Sequence, residues 1–278
     1  MITRIGVLGG GRMGAGIAHA FLLAGCDVTI VERDAAGADA AHDRIRDLLT
    51  RSAARGRLAP GSAEFRTSTN VSGFADRELV IEAVPEDRAL KTDALMRVEA
   101  VVADEALLAS NTSSIPIDAL AAALAHPERF LGLHFFNPVP TSALVEIVTG
   151  SATAQATVEQ ARACVDAVGK TPIVVRDSPG FASSRLGVLL GLEAIRMLEE
   201  GVADAADIDR AMELGYRHPM GPLRTTDLVG LDVRLGIADE LHAAFGERFA
   251  PPALLRRMVA EGRLGRKSGE GFYRWDAS

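Results

Sequence analysis

A glycine pattern near the start of the chain constrains its fold more than any other feature. Gly9, Gly11 and Gly14 form a G-x-G-x-x-G spacing. The apolar run 1–8 precedes it, and apolar residues at helical spacing follow it. A strand, a glycine turn and a helix in this order predict a dinucleotide-binding unit, in which the backbone approaches a pyrophosphate at the N-terminus of the helix.

An acidic residue in the expected place strengthens this interpretation. Glu32 lies 18 residues beyond Gly14, at the end of the second apolar run, 28–31. Its carboxylate can accept hydrogen bonds from the hydroxyls of an adenosine ribose and would repel the 2′-phosphate of NADP. Arg33 could offset part of that repulsion. The sequence therefore favours NAD and leaves tolerance of NADP open.

Apolar runs and helical patterns alternate along the first two thirds of the chain. This alternation predicts an α/β fold with a Rossmann-type doubly wound sheet, largely parallel. The predicted strands are 1–8, 28–31, 79–83, 107–109, 131–136, 144–148 and 172–175, and the predicted helices are 35–55, 95–102 and 153–168. The break at 177–180 predicts a boundary between an NAD-binding domain, 1–180, and an all-α C-terminal domain, 181–278.

The C-terminal domain begins with a leucine-rich segment, 186–198, whose apolar residues surround a helix on most sides. Such a helix is expected to be buried on most sides. Because about a hundred residues form a small core, part of this surface is expected to belong to a second copy, which makes a homodimer our hypothesis. Gly187 and Gly191 would permit close helix contact.

Composition excludes several classes of function. The chain has 278 residues, of which 48% are apolar, and its net charge of −7 disfavours a nucleic-acid surface. Its two cysteines, Cys26 and Cys164, form no metal-binding cluster and fit a reducing compartment. No apolar stretch reaches about 18 residues and no signal sequence is recognisable, so we expect a cytoplasmic protein with no metal site and no membrane contact.

One histidine lies where a catalytic base is expected. His134 lies at the carboxyl end of the predicted strand 131–136, where open α/β sheets place their ligands. Imidazole suits proton removal near neutral pH, and a carboxylate on its other nitrogen would orient it. The break at 137–140 could fold the chain back and bring Glu146 beside His134. From these residues alone, a buried core histidine is an equally good interpretation.

Five motifs together resemble the L-3-hydroxyacyl-CoA dehydrogenase family, the bacterial 3-hydroxybutyryl-CoA branch most closely. They are the glycine turn, Ser110-Asn-Thr-Ser-Ser114, His134-Phe-Phe-Asn-Pro138, His218-Pro-Met-Gly-Pro222 and Arg266-Lys-Ser-Gly-Glu-Gly-Phe-Tyr273. The resemblance extends over essentially the whole chain. It implies hydride exchange between NAD and a 3-hydroxyacyl thioester carried by coenzyme A.

The same resemblance implies a role for individual residues. His134 is the implied base, Glu146 its orienting carboxylate, and Ser113 a donor to the substrate oxygen. The implied cofactor-binding residues are Gly9, Gly11, Gly14, Glu32, Glu86, Lys91, Asn137 and Lys267, and the implied substrate-binding residues are Ser113, Ser184 and Arg55. Arg55 belongs to a basic segment placed to meet coenzyme A phosphates.

Two departures from the family leave the substrate open. Ser184 stands where the family has a substrate-contacting asparagine, and the segment 140–144 lacks the usual Met-Lys pair. A hydroxyl is shorter than an amide and offers one donor in place of two. The alternatives are therefore a polar or acyl-carrier-protein thioester, a free 3-hydroxy acid, and a cofactor-binding protein without turnover.

Overall fold

A computed structural model describes residues 2–57 and 65–276. The chain divides into two compact units, Met1–Ser178 and Pro179–Ser278. Each unit has a hydrophobic core of its own, drawn entirely from its own residues.

The first unit is built on a sheet of eight described strands in the order β3-β2-β1-β4-β5-β6-β7-β8. The strands are β1 Arg4–Leu8, β2 Asp27–Val31, β3 Phe65–Ser68, β4 Leu79–Glu82, β5 Leu107–Ser110, β6 Phe130–Phe135, β7 Leu144–Thr149 and β8 Thr171–Arg176. The order 3-2-1-4-5-6 is that of a Rossmann fold, which confirms the predicted fold class. The strand β7 runs antiparallel to β6, so a parallel arrangement is the wrong prediction for that pair.

Five described helices pack on this sheet. They are α1 Arg12–Leu23, α2 Ala35–Ala53, α3 Arg88–Glu99, α4 Ile117–Ala121 and α5 Gln155–Ala167. Asp34 and Asp87 cap α2 and α3 by accepting hydrogen bonds from backbone N–H groups of their first turns. The Asp87 cap explains why α3 begins seven residues before the predicted start. The helix α2 ends two residues earlier than predicted, because Gly56 adopts a left-handed conformation with φ of 68°.

The second unit is helical, as the sequence predicts. Its helices are α6 Ser183–Glu199, α7 Ala205–Arg210, α8 Pro222–Val229, α9 Leu231–Phe245 and α10 Ala253–Ala260. Val188, Leu192 and Ile195 of α6 are fully buried. Leu186 and Leu189 are 67% and 38% exposed, so the prediction that α6 is buried on most sides is wrong for one face. Leu186, Leu189 and Glu193 form one exposed stripe, and most other positions of α6 are buried or half-buried.

A buried carboxylate organises the His218–Pro222 motif. Asp209, only 3% exposed, accepts hydrogen bonds from the backbone N–H groups of Leu223 and Arg224 at 2.8 and 2.9 Å, which caps α8. A Cβ at Gly221 would lie 2.1 Å from the Asp209 Cβ. Glycine is therefore required there for packing.

A second buried carboxylate organises the C-terminal motif. Asp227 is 1% exposed and accepts from the backbone N–H groups of Phe272 and Tyr273 at 2.9 Å and from the Trp275 indole at 2.8 Å. The Tyr273 hydroxyl donates to Asp209 at 2.7 Å, and burial together with that contact raises the pKa of Tyr273. The two motifs thus hold the second unit together. In the part of the chain that the structure describes, no helix is long and apolar enough to cross a bilayer.

Candidate active site

The glycine turn between β1 and α1 has the geometry that a pyrophosphate requires. Gly9 has φ of 96°, and a Cβ there would lie 2.8 Å from the carbonyl oxygen of Ala83. A Cβ at Gly14 would lie 1.8 Å from the Gly9 carbonyl oxygen, so α1 can approach the turn only without one. A Cβ at Gly11 would meet no atom within 4 Å. The backbone at Gly11 is therefore open to a ligand, and the turn fits a dinucleotide.

Glu32 lies at the edge of this turn. Its Oε1 accepts a hydrogen bond of 2.6 Å from the Gly10 backbone N–H, which fixes the carboxylate at the end of β2. The Arg33 guanidinium pairs with Asp34 at 3.0 Å and is 89% exposed. Arg44 of α2 donates to the Gly10 carbonyl oxygen at 3.2 Å. Nothing in the sequence singles out Arg44 from the other arginines of its helix as a residue that contacts the turn.

His134 and Glu146 form a buried pair across two strands. They are directly opposed in the antiparallel register of β6 and β7, and His134 Nδ1 lies 2.7 Å from Glu146 Oε2. The histidine is 7% exposed and the glutamate 0%. Because Nδ1 is bonded to the carboxylate, proton exchange with a substrate falls to Nε2. The reversal of β7 after the 137–140 break produces this pairing.

A cleft of about 350 Å³ lies beside this pair within the first unit. Glu86, Lys91, Ser113, His134 and Asn137 all line it. These five residues come from three separate stretches of sequence that meet at the carboxyl end of the parallel strands, where ligands of such sheets bind. The structure thus brings five of the thirteen predicted site residues together in one cleft.

Glu86 is bound to the segment that carries Ser113. Its Oε1 accepts from the Thr112 hydroxyl at 2.5 Å and from the backbone N–H groups of Ser113 and Ser114 at 2.9 and 3.1 Å. Burial opposes ionisation of Glu86, but Lys91 and these donors outweigh it and lower its pKa below the ordinary value. The charged carboxylate therefore fixes the backbone at Ser113.

Lys91 is a buried cation. It is 1% exposed, and its Nζ lies 2.8 Å from Glu82 Oε1 and 3.2 Å from Glu86 Oε2. Glu82 is fully buried and also accepts from the Ser110 hydroxyl at 2.5 Å. Burial raises the pKa of Glu82 despite the opposing effect of Lys91. Sequence reasoning missed Glu82, because a glutamate at a strand end carries no local sign of burial.

Eight of the thirteen predicted site residues are not among those that line this cleft. Gly9, Gly11, Gly14 and Glu32 lie at the glycine turn and its edge, Glu146 pairs with His134, and the other three are Lys267, Ser184 and Arg55. Lys267 belongs to the second unit, where its Nζ lies 2.6 Å from Asp232 Oδ2. Ser184 is the second residue of α6 and is half-buried. Arg55 is exposed, two residues beyond the end of α2. Their roles stay predictions. Within residues 2–57 and 65–276, no three histidine, cysteine or carboxylate side chains are grouped as metal ligands would be.

The fold and the site define an NAD-dependent oxidoreductase that acts on a CH–OH group. Residues 4–178 match the family model described as 3-hydroxyacyl-CoA dehydrogenase, NAD binding domain, and residues 180–275 match the model for the C-terminal domain of the same enzymes. The chain therefore belongs to the 3-hydroxyacyl-CoA dehydrogenase family, which confirms the resemblance and the NAD prediction.

Several relatives are similar over nearly their whole length. A 3-hydroxybutyryl-CoA dehydrogenase of Mycobacterium tuberculosis is 45% identical, with 98% of each chain covered. A probable 3-hydroxybutyryl-CoA dehydrogenase of Deinococcus radiodurans is 42% identical, over 98% of this chain and 100% of the relative. The crystal structure of (S)-3-hydroxybutyryl-CoA dehydrogenase from Ralstonia eutropha is 37% identical and superimposes with a TM-score of 0.94 over 100% of both chains.

Proposed function

We propose that the protein interconverts a short 3-hydroxyacyl-CoA, of the 3-hydroxybutyryl type, and the corresponding 3-ketoacyl-CoA. The observation that carries this proposal is the His134–Glu146 pair, 2.7 Å apart, in a cleft shared with Ser113 and Asn137. The names of the relatives support the acyl group and the coenzyme A carrier.

The residues of the cleft suit the single proton transfer and the substrate orientation that this reaction needs. NAD bound at the glycine turn supplies the hydride chemistry. His134 Nε2 takes the proton of the C3 hydroxyl, and Glu146 holds the ring in one orientation and stabilises the imidazolium. Ser113 donates to the substrate oxygen, and its backbone is held by Glu86. In the reverse direction His134 returns the proton to the alkoxide.

Oxidation of NADH by acetoacetyl-CoA tests the proposal. We expect the wild-type protein to turn over, and His134→Asn and Glu146→Gln each to lower kcat by about 10²-fold or more while NADH still binds, since positioned acid–base groups contribute about that much. Asn and Gln preserve size, so folding can be checked by thermal melting. A wild-type protein that binds NADH without turnover would instead favour the cofactor-binding interpretation.

The serine at position 184, where the family has an asparagine, leaves the carrier of the acyl group to be tested. The same assay with a coenzyme A thioester, an acyl-carrier-protein thioester and the free 3-keto acid separates the alternatives. We expect the coenzyme A thioester to have the highest kcat/KM. A preference for either of the other two would overturn the proposed carrier and leave the redox chemistry in place.

We further propose a homodimer formed through the exposed face of α6. This face comprises Leu186, Leu189 and Glu193, which lie on one side of the helix. Arg234 of α9 packs against Gly187 and Gly191 on another side of α6, is 6% exposed, and has neither an ion pair nor a side-chain hydrogen bond among the described residues. Burial lowers the pKa of Arg234 to about 10.

A second copy would cover this apolar face. Two α6 helices paired about a two-fold axis would bury Leu186 and Leu189 of one copy against those of the other. We expect sedimentation to give a dimer for the wild-type protein and a monomer for Leu186→Arg. The control Val202→Arg, at a position 60% exposed outside α6, should stay dimeric. A monomeric wild-type protein would refute this interface.

We also propose that the protein is located in the cytoplasm. Cys26 and Cys164 are both buried free thiols, and burial raises the pKa of Cys164 to about 11. Their reduced state is compatible with the cytoplasm.

A further inference from the structure

The loop that joins β6 to β7, residues 136–143, determines how the predicted catalytic groups are presented. It follows the strand of His134, carries Asn137, and leads into the strand of Glu146. Within it, the backbone N–H groups of Thr141 and Ser142 both donate to the Pro138 carbonyl oxygen at 3.1 Å. These contacts make a compact turn. The carbonyl groups of Val139 and Ser142 accept no backbone hydrogen bond within the loop.

Lys170 binds two of these carbonyl groups. Its Nζ donates to the Val139 oxygen at 2.6 Å and to the Ser142 oxygen at 2.5 Å. The lysine itself is fixed, because its backbone N–H donates to Val165 at the end of α5 and the next residue, Thr171, donates to Ala143 at the end of the loop. A cation immediately before β8 therefore binds the loop on both sides of its turn.

Val139 anchors the same loop to the cofactor helix. It is 2% exposed, and a Cβ on Gly16 of α1 would lie 2.9 Å from the Val139 Cβ. Gly16 thus provides the space into which Val139 packs. The loop is fixed to the helix that follows the glycine turn on one side and to Lys170 on the other, and its position relative to the dinucleotide site is determined by both contacts.

The charge of Lys170 has no carboxylate partner in the described residues. Burial lowers the pKa of Lys170. An ammonium that only carbonyl groups accompany is costly to bury, so its hydrogen bonds must be made in the folded state with good geometry. The side chain is thus suited to hold the loop rather than to provide a solvated surface charge.

We propose that Lys170 is a positioning residue that fixes the loop carrying Asn137, and so sets the affinity of the site for the nicotinamide end of the cofactor. The proposal rests on the proposed function and takes Asn137, an implied cofactor-binding residue that lines the cleft, to contact the nicotinamide end of the dinucleotide. Lys170 acts through the loop and touches neither of the reacting molecules.

Titration of NADH binding by fluorescence, without any substrate, tests this role. We expect Lys170→Met to weaken NADH binding by about ten-fold, the equivalent of one charge-assisted hydrogen bond. Lys170→Arg retains the charge and the donors and should recover most of the affinity. The matched control is Arg176→Met, which removes an exposed cation from the other end of β8 and should bind NADH as the wild-type protein does.

Kinetics and chemical rescue complete the test. We expect Lys170→Met to raise KM for NADH and lower kcat while KM for the thioester changes little, and methylammonium to restore NADH affinity to Lys170→Ala. If Lys170→Met and Lys170→Gln melt at lower temperature but bind NADH within two-fold of the wild-type value, the residue is only structural and the proposal fails. Because binding is read without turnover, the result stands apart from the outcome of the acetoacetyl-CoA assay.

Discussion

At the scale of single residues, charged side chains of the candidate site are fixed by hydrogen bonds from backbone N–H groups. Glu32 shows this most simply. Its carboxylate accepts the Gly10 N–H at 2.6 Å, so the group that the sequence predicts to bind a ribose also closes the glycine turn. A negative charge at this position discriminates against a 2′-phosphate by repulsion as well as by lost hydrogen bonds.

Replacement of Glu32 by alanine should therefore change cofactor selectivity. We expect Glu32→Ala to weaken NADH binding by about ten-fold, because hydrogen bonds to a charged group contribute about 1.5 kcal/mol or more. Binding of NADPH should stay constant or improve as the repulsion is removed. Fluorescence titration with both cofactors measures this, and Arg33→Ala is the neighbouring control. Equal losses for NADH and NADPH would show that Glu32 acts only on the shape of the turn.

At the scale of secondary structure elements, the contact between α1 and α2 contains a titratable group. His19 of α1 is 2% exposed, and its Nε2 lies 2.8 Å from the Ser52 hydroxyl of α2. Burial lowers the pKa of His19 below its ordinary value of 6.5. As the pH falls below 6.5, the unfolded chain takes up this proton before the folded one does. The contact therefore loses stability on the acid side.

Urea unfolding across this pH range tests the role of His19. The free energy of unfolding should fall from about pH 7 to about pH 5, and for one histidine the slope cannot exceed about 1.4 kcal/mol per pH unit. We expect the fall to be smaller in His19→Asn, which keeps a polar contact to Ser52 but does not titrate. His126→Asn, at an exposed position, is the control. Parallel curves for His19→Asn and the wild-type protein would contradict the assignment.

The elements that the sequence predicts are those whose side chains follow a local pattern. Buried runs such as Leu79–Glu82 and Leu107–Ser110 are recognisable because parallel strands are apolar on both faces. The edge strand Phe65–Ser68 was missed, because it contains one apolar residue and none of its side chains is buried.

The candidate site was predictable only in part, for a similar reason. His134 and Glu146 were predictable because a break in the chain separates two apolar runs that can pair. The resemblance singled out Lys91 but not its burial, and Lys170, which is half-buried, is held by carbonyl groups about 30 residues away in sequence. Lysine is ordinarily solvated, so no local pattern marks a lysine whose ammonium group will be bound within the protein.

At the scale of the whole molecule, the chain folds as two units of unequal size. The second unit has only 100 residues, so its core is small and a few buried polar contacts matter to it. Asp227 is the foremost of these, because three donors of the C-terminal segment, including the indole of Trp275, meet on its carboxylate.

The unfolding of the second unit can be followed directly, because Trp275 is the single tryptophan of the chain. We expect Asp227→Ala to lower the free energy of unfolding reported by Trp275 fluorescence by about 3 kcal/mol, since it leaves buried donors without an acceptor. Asp276→Ala, one residue beyond the tryptophan and exposed, should leave the midpoint unchanged. An unchanged midpoint for Asp227→Ala would show that the C-terminal segment is held by its apolar contacts alone.

The direct opposition of His134 and Glu146 across β6 and β7 also bears on how such an enzyme can diversify. A shift of the register by one residue would turn Glu146 to the other face of the sheet, so an insertion within either strand would abolish the His134–Glu146 hydrogen bond. Loops at the strand ends and helices of the second unit are under no such constraint. Under the proposed function, substrate preference can therefore change through these regions while the geometry of the His134–Glu146 pair is kept by the register of the two strands.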